Sequence, residues 1–380
     1  MPYVCHPAPR LIVEDGGVSR LGDLAKELGG TRVLLVTDAG LVAAGLAARA
    51  EAALTGAGLP VAVFDGVEPD PSWGSIQRAV DLSQDEGCDL IVGFGGGSSM
   101  DTAKVVALAR ADRDVDAVMA LNDDGGGRLA MIMVPTTAGT GSEVTPIAVV
   151  TTPTHEKVAV NHPIAVADIA LLDAELTLGL PTRATAMTGI DAVVHAVEAY
   201  TTRLRKNPVS DALARQALRL LSGNLRQVLA EPGDVAARRA MLEGAMLAGL
   251  AFTNAPVGAV HALAYPLGGH FGVPHGLANA LVFRQVLEFN APACGHLYAE
   301  LAADLPADLT GGDLSAEGFI RGIDRLLDAL PLERRITLMG VAETDVPMMA
   351  ADAMKIERIL VNNARPMTHE AAESLYRSAL

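Results

Sequence analysis

A chain of 380 residues is long enough for two domains that each bury a core. Half of its residues are hydrophobic and only 3% aromatic, so that core must be built from Ala, Val, Leu, Ile and Met. With 29 Lys and Arg against 45 Asp and Glu, the net charge of −16 argues against nucleic acid or an anionic membrane surface as partner.

Met1 to Pro7 has no basic start followed by an apolar run, so no secretory signal is read. Cys5, Cys88 and Cys294 are scattered and lack Cys-x-x-Cys spacing, which fits reduced thiols in a cytoplasmic protein. The run Arg32 to Thr37 predicts a strand closed by Asp38, followed by an Ala-rich helix from Leu41 to Thr55. Val61 to Phe64 and Asp89 to Phe94 predict further strands, with helices over Ser75 to Glu86 and Met100 to Arg110. A loop, Asn122 to Gly127, precedes the strand Ala130 to Val134. Strands separated by helices of this length imply parallel βαβ units covered on both faces. From Thr182 to Leu380 the pattern changes to helices with short breaks. Asn207-Pro208 and Glu231-Pro232 read as helix starts, and Leu301 to Gly312 as loop. The least charged stretch, Gly244 to Val260, is broken by Thr253, Asn254 and Pro256 and reads as a buried helix and a turn, not a membrane span. The expectation is a soluble protein with an α/β domain over 1–180 and an all-helical domain over 181–380.

Gly95-Gly96-Gly97-Ser98-Ser99-Met100-Asp101 sits where a strand turns into a helix. Consecutive glycines let a ligand approach the backbone, and the helix start points free N–H groups at a phosphate without any Lys or Arg. The G-x-G-x-x-G fingerprint fails, because Ser98 stands where its last glycine would be. A tight βα turn would explain one glycine but hardly three with two serines. A second loop, Pro135-Thr136-Thr137-Ala138-Gly139-Thr140-Gly141-Ser142-Glu143, also follows a strand, and its hydroxyls suit a ribose or pyrophosphate. Two such loops at strand C-termini are the usual setting for a nucleotide. Asp38 can accept hydrogen bonds from the adenosine ribose and repel a 2′-phosphate, or can simply cap a helix.

Asp191 and His195 are four residues apart and share one helix face. A carboxylate and an imidazole so placed form half of a divalent-metal site, and the segment Val260 to Gly276 offers His261, His270 and His275 for the other half. A surface Asp and core histidines would account for any one pair. Both stretches are otherwise apolar, however, and buried charge needs a partner or a metal.

With these segments in order, the chain resembles the iron-containing (group III) alcohol dehydrogenase family nearly end to end. The resemblance is carried by Gly95 to Lys104, Pro135 to Glu143, Leu172 to Thr177, Gly189 to Tyr200, His261 to His275 and Asn362 to Pro366. It implies an NAD(P)-dependent oxidoreductase with an N-terminal Rossmann-like domain, a C-terminal helical domain that binds metal and substrate, and one Fe²⁺. By position it implies metal ligands at Asp191, His195, His261 and His275. It also implies cofactor contacts that include Asp38, Gly96, Gly97, Ser98, Asp101, Thr136, Thr137, Ser142, Lys157 and Leu176, and a homodimer. Zn²⁺ suits one Asp and three His as well as Fe²⁺ does.

Two positions depart from the family pattern. Asp70 stands where the family commonly has Asn, and Tyr265 where many members have a second histidine four residues after the first. Tyr265 should face the metal from the helix of His261 and orient substrate or a water chain, or be a core tyrosine; His270 reads as pocket-lining. The implied reaction is hydride transfer between NAD and a small primary alcohol or aldehyde. A maleylacetate reductase is the runner-up, against which four intact ligands argue. A sugar-phosphate cyclase would want several cations near the metal, yet Arg183 is the only Lys or Arg between Pro181 and Tyr200.

Overall fold

The computed structural model describes residues 3–6, 8–110, 112–121, 127–153 and 157–380. Its strands are β1 Arg10–Val13, β2 Val33–Val36, β3 Val61–Phe64, β4 Leu90–Gly95, β5 Ala130–Pro135, β6 Ile147–Thr151, β7 Lys157–Asn161 and β8 Ile169–Leu172. Among them lie helices α1 Leu21–Glu27, α2 Ala39–Ala43, α3 Leu46–Gly56, α4 Trp73–Asp85, α5 Gly97–Ala109 and α6 Val115–Met119. Six strands make one parallel sheet in the order β1-β8-β5-β4-β2-β3, and β6 and β7 form an antiparallel hairpin.

The apolar strand runs follow from burial on both faces. Leu34, Val36, Ile91, Met131 and Met133 meet Ile76, Ala79 and Val80 of α4 and Met100 and Ala103 of α5 on one side. Val33, Leu35, Val92, Phe94, Ile132 and Leu171 meet Leu21, Leu24, Ala50 and Leu54 on the other. Each such Leu or Ile contributes about 1.5–3 kcal/mol relative to exposure. Because the strands are parallel, the glycine loop after β4 and the threonine-rich loop after β5 leave the sheet at the same end.

From 181 onward the chain is helical: α7 Thr182–Thr201, α8 Pro208–Ala230, α9 Val235–Asn254, α10 Ala259–Phe271, α11 His275–Ala302, α12 Ala307–Thr310, α13 Ala316–Asp328, α14 Val346–Met354, α15 Glu357–Leu360 and α16 His369–Ala379. The chain divides into two compact units. One holds 6–137 and 141–180; the other holds 181–380, with 138–140 and the first five residues. Helix α7 is apolar nearly all round and buried over most of its length, as a central helix must be. Among the described residues no single helix is long and apolar enough to cross a membrane; the apolar run breaks between α9 and α10, which are bent by 106°.

Several expectations are corrected. The helix read over Leu41 to Thr55 is two, because Gly45 turns left-handed (φ 74°) between α2 and α3. Glu231-Pro232 ends α8 and does not start α9, whose first turn is capped by the Asp234 carboxylate accepting from Ala237 N. The loop read over Leu301 to Gly312 includes the end of α11 and the short helix α12, stopped by Gly311 at φ 68°. The loop read over Asn122 to Gly127 lies, except for Gly127, outside the described residues.

Candidate metal centre

Three helices of the helical unit converge on four side chains. Asp191 and His195 come from successive turns of α7, His261 from the first turn of α10 and His275 from the first residue of α11. One ligand atom from each lies within 4.8 Å of all the others. Among the described residues this is the one such gathering of His, Cys, Asp or Glu. Asp191, His195 and His261 are buried, and His275 is half-buried. Gly276 makes the meeting of α11 and α7 possible, since a Cβ there would lie 2.2 Å from the Met187 carbonyl oxygen. The same Cβ would stand 3.4 Å from Asp191 Cβ, so any retreat of α11 would carry His275 away from the carboxylate.

Two of the four donors are held by a further polar side chain. Glu198, on the same face of α7, accepts from the Val260 backbone N–H (2.7 Å) and bonds His261 Nδ1 (2.7 Å), which leaves His261 Nε2 for the centre. Asn279, one turn after His275 on α11, donates to Asp191 Oδ1 (2.6 Å). The same amide nitrogen is 3.4 Å from His261 Nε2 and 3.3 Å from His275 Nε2, so both imidazoles point at one place. The Phe252 ring lies 4.6 Å from that of His195 and supplies an apolar wall. Glu198 and Asn279 are absent from the sequence-derived set, although spacings of three after His195 and four after His275 put each on the right helix face.

The electrostatics suit a cation. Burial pushes the His195 imidazole down to about 3, so it is a neutral donor. Burial opposes ionisation of Asp191 too, but the three imidazoles and the Asn279 hydrogen bond outweigh it and hold the carboxyl below its usual range. For His261 burial is again the largest influence, and the Glu198 hydrogen bond and the charges of Glu198 and Asp191 overcome it, leaving the imidazole above its usual value. Asn279 Oδ1 is buried with no hydrogen-bond partner, a cost of about 1–3 kcal/mol that a resident ion and its ligands would rationalise. Tetrahedral ligands at about 2.1 Å from an ion stand about 3.4 Å apart. The donor set fits a divalent ion with small side-chain adjustments.

Tyr265 is half-buried on α10, its ring 6.2 Å from that of His275, so it borders the group as its spacing predicts. His270 does not. Nine residues after His261 places it on the opposite face of α10, where Nε2 bonds Asp352 Oδ2 at 2.6 Å with the side chain 39% exposed.

In the α/β unit the two loops touch: Thr136 N donates to Gly95 O (3.0 Å), and Thr137 lies 3.5 Å from where a Gly96 Cβ would be. Gly96, Gly97, Ser98 and Thr137 are half-buried, while Thr136 is buried. Asp38 caps α2 by accepting from Leu41 N (3.1 Å) at the end of β2. Asp101 and Ser142 are engaged internally: Asp101 accepts from Ser142 Oγ (2.6 Å) and Val149 N (2.8 Å). Leu176 packs into the sheet core. Lys157 pairs with Asp70 (2.8 Å), the position that departs from the family pattern; its positive φ of 51° is one that Asp and Asn tolerate best.

The model of a family described as iron-containing alcohol dehydrogenase matches residues 8–174, and that of the C-terminal part of the Fe-containing alcohol dehydrogenase family matches 185–380. The chain is 36% identical to long-chain-alcohol dehydrogenase 1 of Geobacillus thermodenitrificans over 376 residues, covering 96% of this chain and 93% of the relative. It superposes on a 1,3-propanediol oxidoreductase with a TM-score of 0.94 and 35% identity over the whole of both chains. A sulfoacetaldehyde reductase from Bifidobacterium kashiwanohense, solved in complex with NAD⁺, aligns with a TM-score of 0.89 and 26% identity, covering 100% of this chain and 99% of that one.

Proposed function

The chain belongs to the iron-containing alcohol dehydrogenase family, and from that premise we propose that it moves a hydride between NAD and a small primary alcohol or aldehyde at a divalent metal held by Asp191, His195, His261 and His275. It is an oxidoreductase, and its relatives favour neither a maleylacetate reductase nor a cyclase. The observation that carries the reading is the convergence of one carboxylate and three imidazoles from three helices.

A bound divalent ion supplies Lewis acidity that acidifies a coordinated hydroxyl and polarises a carbonyl. The protein's own residues supply the rest. Glu198 fixes the His261 ring and Asn279 holds the Asp191 carboxylate, so the donor atoms are set before any ion arrives. Phe252 excludes water on the His195 side. The ligand types suit Fe²⁺ and Zn²⁺ alike, and family membership favours iron. In the α/β unit, Asp38 stands at the strand end where an adenosine ribose is read in this fold class, which favours NAD over NADP. We read the protein as a homodimer: β1 is an edge strand whose Leu11 and Val13 are exposed, a surface that unpaired edges tend to cover. Its cysteine usage favours the cytoplasm.

The test is turnover over a panel of short alcohols and aldehydes with NAD and with NADP, with metal content measured alongside. Metal-dependent, NAD-preferring turnover of a primary alcohol is the expected outcome. Full activity in thoroughly metal-stripped enzyme would overturn the metal assignment, and equal efficiency with both cofactors would overturn the role of Asp38.

A further inference from the structure

Lys104, on the third turn of α5, is wholly buried. Lysine is rarely buried without a specific set of partners, because its ammonium must be fully satisfied there. Here it is. Nζ donates to Ser142 Oγ (2.7 Å), Thr145 Oγ1 (3.2 Å) and the Ile147 carbonyl (2.7 Å), three acceptors for three N–H bonds. Asp101 Oδ1 stands 3.7 Å away and itself accepts from Ser142 Oγ, while Asp101 Oδ2 accepts from Val149 N. Every one of these partners lies in the segment 142–149 or on α5.

The arrangement has a consequence for the loops. The threonine-rich loop is tied to the glycine loop at its start, by Thr136 N on Gly95 O. Its other end, Ser142, is tied to α5 by Asp101 and Lys104. Gly95 ends β4 and α5 begins two residues later at Gly97, so the strand end before the glycine loop holds one end of the threonine-rich loop and the helix after it holds the other.

We propose that Lys104 is a positioning residue for dinucleotide binding: its ammonium holds the far end of the threonine-rich loop to α5, so that the two loops meet the cofactor as one preformed surface. The proposal rests on reading the loops as the nucleotide site. Binding to a preformed surface avoids the cost of ordering it, so loss of the tether falls on cofactor affinity and not on the chemistry at the metal. Titration supports the same picture. Burial pushes Lys104 down to about 8, and Asp101 on α5 and Glu143 at the end of the loop are the charged groups that act on it. Burial likewise pushes Glu143 up to about 7. The ammonium is therefore lost as pH rises through about 8, and the tether weakens with it.

The experiment compares the full enzyme with Lys104→Met and Gly96→Ala, measuring the NAD dissociation constant, KM for NAD, KM for alcohol, kcat and metal content. Lys104→Met keeps the length of the side chain and removes a buried charge, a change cores often tolerate. We expect NAD affinity and KM for NAD to worsen about tenfold in Lys104→Met, equivalent to about 1.4 kcal/mol, with kcat, KM for alcohol and metal content close to the parent. From about pH 7 to about pH 9, NAD affinity of the parent should fall while that of Lys104→Met stays flat. Parent-like affinity in Lys104→Met beside weakened affinity in Gly96→Ala would overturn the proposal and leave the nucleotide site standing. Parent-like affinity in both would remove the nucleotide reading and the proposal together. If Lys104→Met does not fold, Thr145→Val, which removes one of the Lys104 acceptors while keeping the side chain's shape, asks the same question: a severalfold weaker NAD complex supports the tether and an unchanged one overturns it.

Discussion

On the proposed reading, the metal centre and the nucleotide loops would solve recognition in opposite ways. At the metal centre everything is side chain. Four donors come from three helices, and two are held by a further polar side chain, Glu198 or Asn279. At the loops the material that would face a cofactor is chiefly backbone, Gly95 to Gly97 and the start of α5, while the polar side chains nearby, Asp101 and Ser142, spend their hydrogen bonds on one another and on Lys104. A divalent ion needs a few atoms at fixed distances, which only oriented side chains provide. A dinucleotide needs a long, close surface with many N–H groups, which bare backbone provides. Truncating a side chain should therefore harm the metal centre most, and adding one should harm the loops most.

The largest effect that tests this contrast is expected for His275→Ala. Partners outside the ligand set typically cost 10–100-fold in metal affinity, so removing a ligand should lower metal content and turnover on the order of a hundredfold or more. His275 is half-buried at a helix start, so the fold should persist, as circular dichroism and a near-parental melting temperature would register. A mutant that retains a full complement of metal would remove His275 from the site.

Next comes Glu198→Gln. The amide can still bond Val260 N or His261, but not both as an anion does, and the His261 ring loses the charge that fixes it. Metal affinity, measured by chelator competition, should fall about 10–100-fold with little change in melting temperature. A change in stability with no change in metal affinity would make Glu198 an ordinary core carboxylate.

These residues also mark where sequence reading stops. Asp191 and His195 stand out because polar groups four apart in an apolar run define a face. Glu198 continues that face, yet a glutamate in a helix is so ordinary that only its bond to His261 distinguishes it. Asn279 is hidden for the same reason, and Lys104 more so, because a lysine carries a strong expectation of exposure. His270 errs the other way: its residue type suited a ligand, but helical phase turned it to Asp352. Strands β2 to β5 were legible because they are apolar runs set between helices, whereas the edge strand β1, the hairpin β6–β7 and the four-residue β8 were not read from the sequence. The helix ends were less so, since Gly45 and Asp234 act through local conformation and capping that compete with the stronger signal of Pro and Ala nearby.

On the nucleotide side the sharpest probe is Gly96→Ala. A Cβ at Gly96 would meet only Thr137, at 3.5 Å, an ordinary contact, and the backbone there is extended and unstrained. The protein itself has no need of glycine at this position; a closely approaching ligand does. Stability should be unchanged within about 0.5 kcal/mol, while NAD affinity falls about tenfold, as isothermal titration would show. Unchanged affinity would mean that the cofactor does not pass over Gly96.

The smallest effect is expected for Tyr265→Phe, which asks how far the side-chain logic of the metal centre extends. Tyr265 lies one turn beyond His261 on α10, with its ring 6.2 Å from that of His275, so it belongs to the wall of the site and not to the donor set. An imidazole at this position could move a proton near neutral pH, with an ordinary pKa of about 6.5, whereas a phenol, at about 10, offers chiefly a hydrogen bond. Removing the hydroxyl while keeping the ring should forfeit one such bond, about 1 kcal/mol, and lower turnover about fivefold with metal content unchanged. Tyr265→His should instead add a pH dependence of kcat near neutrality. If Tyr265→Phe matches the parent in turnover and pH profile, the ring is packing, and the chemistry of the site ends at the metal ligands and the side chains that hold them.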